Sequence, residues 1–293
     1  MADFVDKQFA KEEVADKVLE QYDQEHTRIF YKYVMGGGGH DIHFGVFKDP
    51  SWGVKESGEA TTNIMLDFMN WAGTVDKDKH VLDLGSGHGG GTHAMCQRFG
   101  CKVTGINIGP EQNKVNMDRC KELGIADKVG TVVGNINEKL PFEDNTFDAC
   151  FSCEVLCHAG DKVFTIKEVN RVLKPGGVFV FSDLMGSDDA DEKALRSFTD
   201  RNATTIMGRP SQYMQAVKDA GMGYVTWWDN SNHLEKYFRE MLRQISVHRE
   251  DMKKEGVTDS YLDNWVQSLS ERAEVQATKG VFAHGFFVAR KIN

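Results

Sequence analysis

A glycine-rich loop is the first feature of this sequence that could bind a ligand. Residues 82–90, Leu-Asp-Leu-Gly-Ser-Gly-His-Gly-Gly, follow an apolar strand pattern and precede a helical pattern. Gly85, Gly87 and Gly89 let the backbone turn tightly and approach a ligand, with the amides of the helix N-terminus facing it. Because the spacing from Gly85 to Gly90 is also compatible with a dinucleotide fingerprint, the loop alone does not decide between ligands.

Polar residues at the ends of the following strands narrow the choice. Asp83 lies in the first strand, Asn107 ends the second about twenty residues further on, and Asn135 ends the third. A Leu-Lys-Pro-Gly-Gly turn at residues 173–177 precedes the fifth. This combination resembles the class I S-adenosylmethionine-dependent methyltransferases.

The resemblance implies a set of cofactor-binding residues. In that family the glycine loop cradles the methionine moiety, the residue closing the second strand binds the ribose hydroxyls, and the turn after the third strand holds adenine. Most members have an acid where Asn107 stands, but an amide can also donate to and accept from hydroxyls. The implied S-adenosylmethionine ligands are Tyr22, Asp83, Gly85, Gly87, Gly89, Asn107, Ile108, Gln112, Asn135, Ile136 and Cys153.

Several further segments are similar to the sarcosine and dimethylglycine methyltransferases that make glycine betaine. They occupy residues 22–23, 30–37, 41–45, 107–114, 140–148 and 152–158. The resemblance implies methyl transfer to a small carboxylated amine. Met35 stands where the family usually has Trp, and Cys157 replaces an apolar residue. These softer side chains keep open a thioether carboxylate as the acceptor, which would give a sulfonium osmolyte.

Two histidines are candidate catalytic residues. His158 follows the fourth strand, where this fold places substrate groups, and could orient the acceptor and take a proton from it. His43 has a comparable position in the N-terminal segment. Methyl transfer otherwise depends on holding the acceptor in line with the donor, so no covalent nucleophile is needed.

The expected acceptor-binding residues carry aromatic or charged groups. Tyr31 and Tyr33 could face a cationic centre through a cation–π contact, and Glu154 is the acidic residue after the fourth strand. A carboxylate on the acceptor calls for an arginine, and Arg28 and Arg209 are candidates by position only. We select Arg209 of these two.

No metal ion is expected. Cys150, Cys153, Cys157 and His158 are close in sequence, but Cys150 lies on a predicted strand, and structural zinc usually has two separated ligand pairs. A second group, formed by residues 40–43, has too few ligands. Methyl transfer to an amine also needs no Lewis acid.

Alternating strands and helices predict the architecture that positions these residues. From residue 79 to residue 183, short apolar strands alternate with helical patterns, which indicates right-handed crossovers and a mostly parallel sheet covered on both faces. We predict a Rossmann-like α/β fold with seven strands. Its expected parts are an N-terminal helical cap, a cofactor-binding core, a helical insertion acting as a lid, and the final core strand, at residues 1–57, 58–231, 232–277 and 278–293.

Composition excludes several classes of protein and partner. The 293 residues are 40% hydrophobic and 27% charged, which is typical of a globular chain. The net charge is −9, with no basic cluster that could bind nucleic acid. No signal peptide or membrane-spanning run is visible, so we expect a cytoplasmic protein. Its expected partner is a small-molecule acceptor, and the helical insertion is compatible with a homodimer.

Two other functions stay open at this point. The chain could be a module that binds S-adenosylmethionine without catalysis and assembles through residues 232–277. It could also be a nicotinamide-dependent dehydrogenase, because the glycine loop suits a pyrophosphate as well.

Overall fold

A seven-stranded sheet with helices on both faces forms the centre of the molecule. The computed structural model describes residues 24–35, 41–72, 75–199 and 207–292. The strands are β1 (His80–Leu84), β2 (Lys102–Asn107), β3 (Val129–Val133), β4 (Phe147–Cys153), β5 (Leu173–Gly186), β6 (Met222–Asp229) and β7 (Phe282–Lys291).

The strand order explains where a ligand would bind. The order across the sheet is β3-β2-β1-β4-β5-β7-β6. Strands β1 to β5 are parallel, and β7 runs antiparallel to both β5 and β6. The chain moves outward from β1 to β3 and then returns to the other side of β1, which creates a crevice at the carboxyl ends of β1 and β4. The predicted mostly parallel seven-stranded fold is confirmed.

The helices begin and end at residues that suit those positions. Asp161 caps one helix by accepting a hydrogen bond from the amide of Phe164 over 2.9 Å. Gly100 ends another in the left-handed conformation, with φ at 69°. The α-helices are α1 (Glu25–Val34), α2 (Val54–Trp71), α3 (Gly90–Phe99), α4 (Pro110–Glu122), α5 (Lys162–Val172), α6 (Arg196–Thr199), α7 (Pro210–Asp219), α8 (Leu234–Lys254) and α9 (Asp259–Lys279).

Two apolar layers cover the sheet. Leu82, Phe179 and Phe287 belong to the core on one face, where α5 and α7 pack. Val81 and Val180 belong to the core on the other face, which is covered by α2 and α3. Burial on both faces explains why the central strands are apolar runs without alternation.

A third apolar core joins the two ends of the chain. Helices α8 and α9 pair with one another, and α1 packs against α8. Phe30 of α1 stacks on Trp265 of α9 with ring centroids 4.4 Å apart. The expected helical insertion is therefore a two-helix hairpin that shares its core with the first described helix.

No helix in the described part of the chain is both long enough and apolar enough to cross a bilayer.

Candidate active site

The glycine loop between β1 and α3 forms an open cradle. Gly85, Gly87 and Gly89 have φ values of 76°, 50° and 93°, in the region that glycine adopts without strain. A Cβ atom at Gly87 would meet none of the described residues within 4 Å, whereas one at Gly89 would lie 2.2 Å from Asn116 Oδ1. The loop thus leaves space at Gly87 and is tightly supported below Gly89.

Asp83 supports this loop from inside the protein. Its carboxylate is 3% exposed and accepts a hydrogen bond from the Thr92 hydroxyl over 2.6 Å, which ties β1 to α3. Burial raises the pKa of Asp83 to about 6, although the hydrogen bonds from Thr92 oppose the shift. Its observed contact therefore holds the strand and the helix on either side of the loop together.

The residues expected to bind ribose and adenine lie at the ends of β2 and β3. Asn107 donates a side-chain hydrogen bond to Gln112, so two amide groups meet beside the loop. Asn135 accepts a hydrogen bond from the amide of Asn137 over 2.9 Å, which shapes the turn after β3. The side chains of Ile108 and Ile136 are half-buried in the same region.

A small cavity lies beyond the carboxyl ends of β4 and β5, below the cap. Its volume is about 70 Å³, on a scale on which one water molecule needs roughly 10 to 15 Å³. It therefore has room for an organic molecule of only a few non-hydrogen atoms. The lining residues are Tyr31, Met35, Ile42, His43, Phe44, Glu154, Cys157, His158, Leu184, Phe198, Met241, Trp265 and Arg272.

His43 is held in this cavity by several polar groups. Its Nε2 lies 3.1 Å from Thr62 Oγ1 and 3.4 Å from Asp41 Oδ1, and its Nδ1 lies 3.3 Å from the Phe44 carbonyl oxygen. Burial disfavours the charged ring, but the hydrogen bond and charge of Asp41, together with the charge of Glu154, raise the pKa of His43 above 6.5. These contacts stabilise the protonated ring, so His43 binds a proton more readily than a free imidazole does.

Glu154 places a buried carboxylate close to His43. It follows β4 with a φ of 56°, and its Oε1 accepts hydrogen bonds from the Phe44 amide over 2.8 Å and from His284 Nε2 over 3.0 Å. The carboxylate thereby fixes the segment that carries His43 onto the sheet.

His158 differs from His43 in its electrostatic surroundings. Burial, with the nearby charge of Lys162, lowers the pKa of His158 to about 4. The ring is neutral at pH 7 and accepts a proton poorly. Its surroundings therefore make His158 a weaker candidate for a base than His43, and its orienting role stays a prediction.

Known proteins resemble this chain over most of its length. Residues 82–181 match the family model described as a methyltransferase domain. A sarcosine/dimethylglycine N-methyltransferase from Aphanothece halophytica is 31% identical over 88% of this chain and 90% of its own. One from Halorhodospira halochloris is 29% identical over 96% of this chain and 98% of its own. A crystal structure of a candidate sarcosine dimethylglycine methyltransferase from Galdieria sulphuraria has 27% identity and a TM-score of 0.82, covering 90% of this chain and 97% of that one.

The similarity to the Aphanothece protein extends over both chains almost completely, which decides the family. The chain belongs to the S-adenosylmethionine-dependent methyltransferases. S-Adenosylmethionine is the cofactor of this methyltransferase, as its sequence predicted, and the dehydrogenase and non-catalytic alternatives fall away.

The methyltransferase offers groups that fit this cofactor. The open space at Gly87 admits a ligand close to the backbone, and the paired amides of Asn107 and Gln112 can serve hydroxyl groups. Cys153 accepts a hydrogen bond from the Ser182 hydroxyl over 3.2 Å at the end of β4. Tyr22, which was also expected to bind the cofactor, lies outside the described residues, and its role stays a prediction.

Two residues expected to bind the acceptor lie outside the cavity of the methyltransferase. Tyr33 is on the outer side of α1 and donates to Glu255. Arg209 donates to the carbonyl oxygens of Ser187 and Ala190 and to Glu192. Arg209 is thus occupied in holding the segment after β5, so the structure does not support its selection. Arg28 is exposed and does not line the cavity.

Arg272 is the residue that sequence reasoning missed. Its side chain is 2% exposed, and it lines the same cavity as Tyr31, His43 and Glu154. A signal was present in the sequence, because Leu262, Trp265, Leu269 and Arg272 follow helical spacing on the buried face of α9. A charged residue at a position where the pattern predicts an apolar one indicates a buried polar contact or a bound ligand.

One group of potential metal ligands occurs among the described residues. Ligand atoms of His43, Cys153 and Glu154 lie within 4.8 Å of one another. Burial raises the pKa of the Cys153 thiol well above its usual range, and a metal binds the thiolate. The cluster therefore lacks a ready sulfur ligand.

Proposed function

We propose that this methyltransferase transfers methyl groups to the nitrogen of sarcosine and dimethylglycine, giving glycine betaine. Two curated relatives that match most of this chain carry the name sarcosine/dimethylglycine N-methyltransferase. The chemistry of the cavity supports the same acceptors.

The observation that carries this proposal is the size and polarity of the cavity. A volume of about 70 Å³ suits an amino acid derivative with a few non-hydrogen atoms. Relatives that match only 50% and 60% of this chain include a sterol methyltransferase and a phytyl hydroquinone methyltransferase, whose named acceptors are far larger. The cavity bounded by the described residues is small compared with such acceptors.

The walls also suit a positively charged nitrogen. The Glu154 carboxylate is buried beside the cavity, and Tyr31 and Phe44 contribute aromatic side chains to its lining. A cation beside an aromatic face gains about 2 kcal/mol when both are removed from water. The product of methyl transfer to dimethylglycine carries a permanent positive charge on nitrogen, so these groups stabilise it.

A proton must leave the acceptor before its nitrogen can react. An amine of this kind is protonated near pH 7, and the nitrogen needs a lone pair to accept a methyl group. His43 can take this proton, because its pKa lies above 6.5 and it lines the cavity. Bound S-adenosylmethionine supplies the methyl group on a positively charged sulfur.

The test is incubation of the purified protein with methyl-labelled S-adenosylmethionine and single acceptors. The panel contains glycine, sarcosine, dimethylglycine and 3-(methylthio)propionate, each at the same concentration. We expect label in N-methyl groups of the sarcosine and dimethylglycine products. Label in none of the amines, or in the thioether alone, would refute the proposal. The homodimer and the cytoplasmic location expected from the sequence stay predictions.

A further inference from the structure

A buried arginine closes the side of the cavity formed by α9. Arg272 is 2% exposed, although the other charged residues of this helix, such as Asp263, Glu271 and Glu274, are exposed. Removing a guanidinium from water is unfavourable unless hydrogen bonds or opposite charges offset the lost hydration. An apolar residue at this position would cover the core at lower cost. Arg272 instead brings a positive charge into the lining of the cavity.

Two aromatic rings set the orientation of this guanidinium. The Arg272 carbon Cζ lies 5.0 Å from the ring centroid of Phe198 and 6.0 Å from that of Trp265. All three residues line the cavity. The N–H groups of a guanidinium lie in its plane, and packing against aromatic rings fixes the orientation of that plane. In such an orientation the N–H groups can form paired hydrogen bonds to a carboxylate.

We propose that Arg272 binds the carboxylate of the methyl acceptor and thereby selects amino acids over amino alcohols and amides. This inference rests on the proposed function, because it assigns a group to each end of the same acceptor. The guanidinium has five N–H donors, so it can bind both carboxylate oxygens and keep its other contacts.

The charges around the cavity match those of a zwitterion. Arg272 comes from α9 and carries a positive charge, whereas Glu154 follows β4 and carries a negative one. When the carboxylate of a small amino acid binds Arg272, its amine faces Glu154 and His43. Holding both ends fixes the nitrogen in one place, and such positioning supplies most of the rate in methyl transfer.

A matched pair of acceptors tests this assignment. N,N-Dimethylglycine and N,N-dimethylglycinamide have nearly the same shape and differ in the negative charge. We expect the wild-type protein to have a kcat/KM about 100-fold higher for the acid. In Arg272→Gln this preference falls to within about threefold, mainly through a higher KM for the acid, while the amide is methylated as before. Arg272→Lys retains the positive charge without the paired N–H donors of a guanidinium. Its preference for the acid should lie between those of the wild type and Arg272→Gln.

An exposed arginine provides the control variant. Arg243 on α8 pairs with Glu240 on the surface, and its side chain is 57% exposed. Arg243→Gln should leave the preference for the acid unchanged. Binding of S-adenosylhomocysteine, measured by calorimetry, reports whether each variant retains its cofactor site.

A measurement on the wild-type protein needs no variant. In 3-methylbutyrate, carbon replaces the nitrogen of dimethylglycine, and the carboxylate is unchanged. We expect it to compete with dimethylglycine, and we expect 3-methylbutyramide to compete at least about 30-fold less well.

Three outcomes would overturn the assignment. The first is equal inhibition of the wild type by 3-methylbutyrate and 3-methylbutyramide. The second is an equal loss of activity with dimethylglycine and its amide in Arg272→Gln, and the third is an unchanged KM for dimethylglycine in that variant. The proposed function fails separately, if the wild-type protein methylates none of the amines.

Discussion

The carboxylate of Glu154 and the ring of His284 lie 3.0 Å apart, and both side chains are buried. This pair joins the end of β4 to β7 across the intervening β5. The same oxygen of Glu154 accepts a hydrogen bond from the Phe44 amide, so one carboxylate connects the sheet with the segment that carries His43. Glu154 adopts its left-handed conformation at an energetic cost that other contacts must offset.

Replacing Glu154 by glutamine should impair turnover more than folding. Glu154→Gln keeps the shape and removes the charge beside the acceptor nitrogen. We expect kcat/KM for dimethylglycine to fall about 100-fold, because the positively charged nitrogen of the acceptor loses the buried carboxylate beside it. Affinity for S-adenosylhomocysteine should change less than threefold. Steady-state kinetics and calorimetry measure the two quantities.

A second buried carboxylate serves as the control for this change. Glu168 accepts a hydrogen bond from the Leu140 amide over 2.9 Å and pairs with Arg171 over 2.7 Å. It does not line the cavity. Glu168→Gln should lower the melting temperature and leave KM for dimethylglycine unchanged. Similar kinetic losses in both variants would show that Glu154 acts only through stability.

The rate should depend on pH through His43. The protonated ring cannot accept a proton, and the pKa of His43 lies above 6.5. We therefore expect kcat/KM for dimethylglycine to fall as the pH decreases through a value above 6.5. His158, with a pKa of about 4, would place the fall near pH 4 if it were the base. A pH–rate profile distinguishes the two residues.

Two glutamine variants assign this profile. His43→Gln should lose the acidic limb above pH 6.5 together with about 100-fold or more of the rate. His158→Gln should keep the limb in place. Retention of the limb in His43→Gln would exclude His43 as the base.

The glycine loop allows a test of cofactor contact. The test separates backbone strain at a positive φ from obstruction of the cofactor by a new side chain. Gly87 has a φ of 50° and Gly124 one of 69°, and in the described part of the chain no atom lies within 4 Å of a Cβ at either position. Alanine at either site should lower the free energy of unfolding by roughly 1 to 2 kcal/mol. In Gly87→Ala alone the new methyl group enters the cradle, so we expect S-adenosylmethionine to bind at least about tenfold more weakly. Equal affinities in the two variants would place the cofactor elsewhere.

His158 should make the protein sensitive to mild acid. Burial lowers its pKa to about 4, so the unfolded chain takes up a proton at higher pH than the folded one. The stability associated with neutral His158 is present above pH 6.5 and is lost as the pH falls from there toward 4. Between pH 7 and pH 5 the loss is about 2 kcal/mol.

Urea unfolding at these two pH values checks this prediction. His158→Gln should lose less stability than the wild type on going from pH 7 to pH 5. The exposed Asn232 controls for the substitution itself, because Asn232→Gln should lose as much as the wild type. An identical loss in all three proteins would contradict the assignment.

The core of the fold could be predicted because its signals are local. The glycine loop and its flanking strand and helix lie within twenty residues, and the alternation of strands and helices from β1 to β5 follows directly from the hydrophobic pattern. Neighbouring residues in sequence also remain neighbours around the loop. This is why the cofactor was correctly identified from the sequence.

The acceptor side could not be predicted to the same extent, because it depends on contacts between distant segments. Arg272 meets the cavity only because α9 packs against the region of α1, through pairs such as Phe30 and Trp265. His43 and His158 have the same side chain, and their different proton affinities arise from Asp41 and from burial. Tyr33 has the residue type expected for the cavity but lies on the wrong face of α1.

The position of β7 has a consequence for synthesis on the ribosome. This strand is made last among the seven, yet it lies inside the sheet, between β5 and β6. Until it emerges, β5 presents an open edge that can pair with another nascent chain. A premature stop before β7 would therefore produce an aggregation-prone fragment and not a folded enzyme of lower activity. Such a fragment is a substrate for cellular proteases.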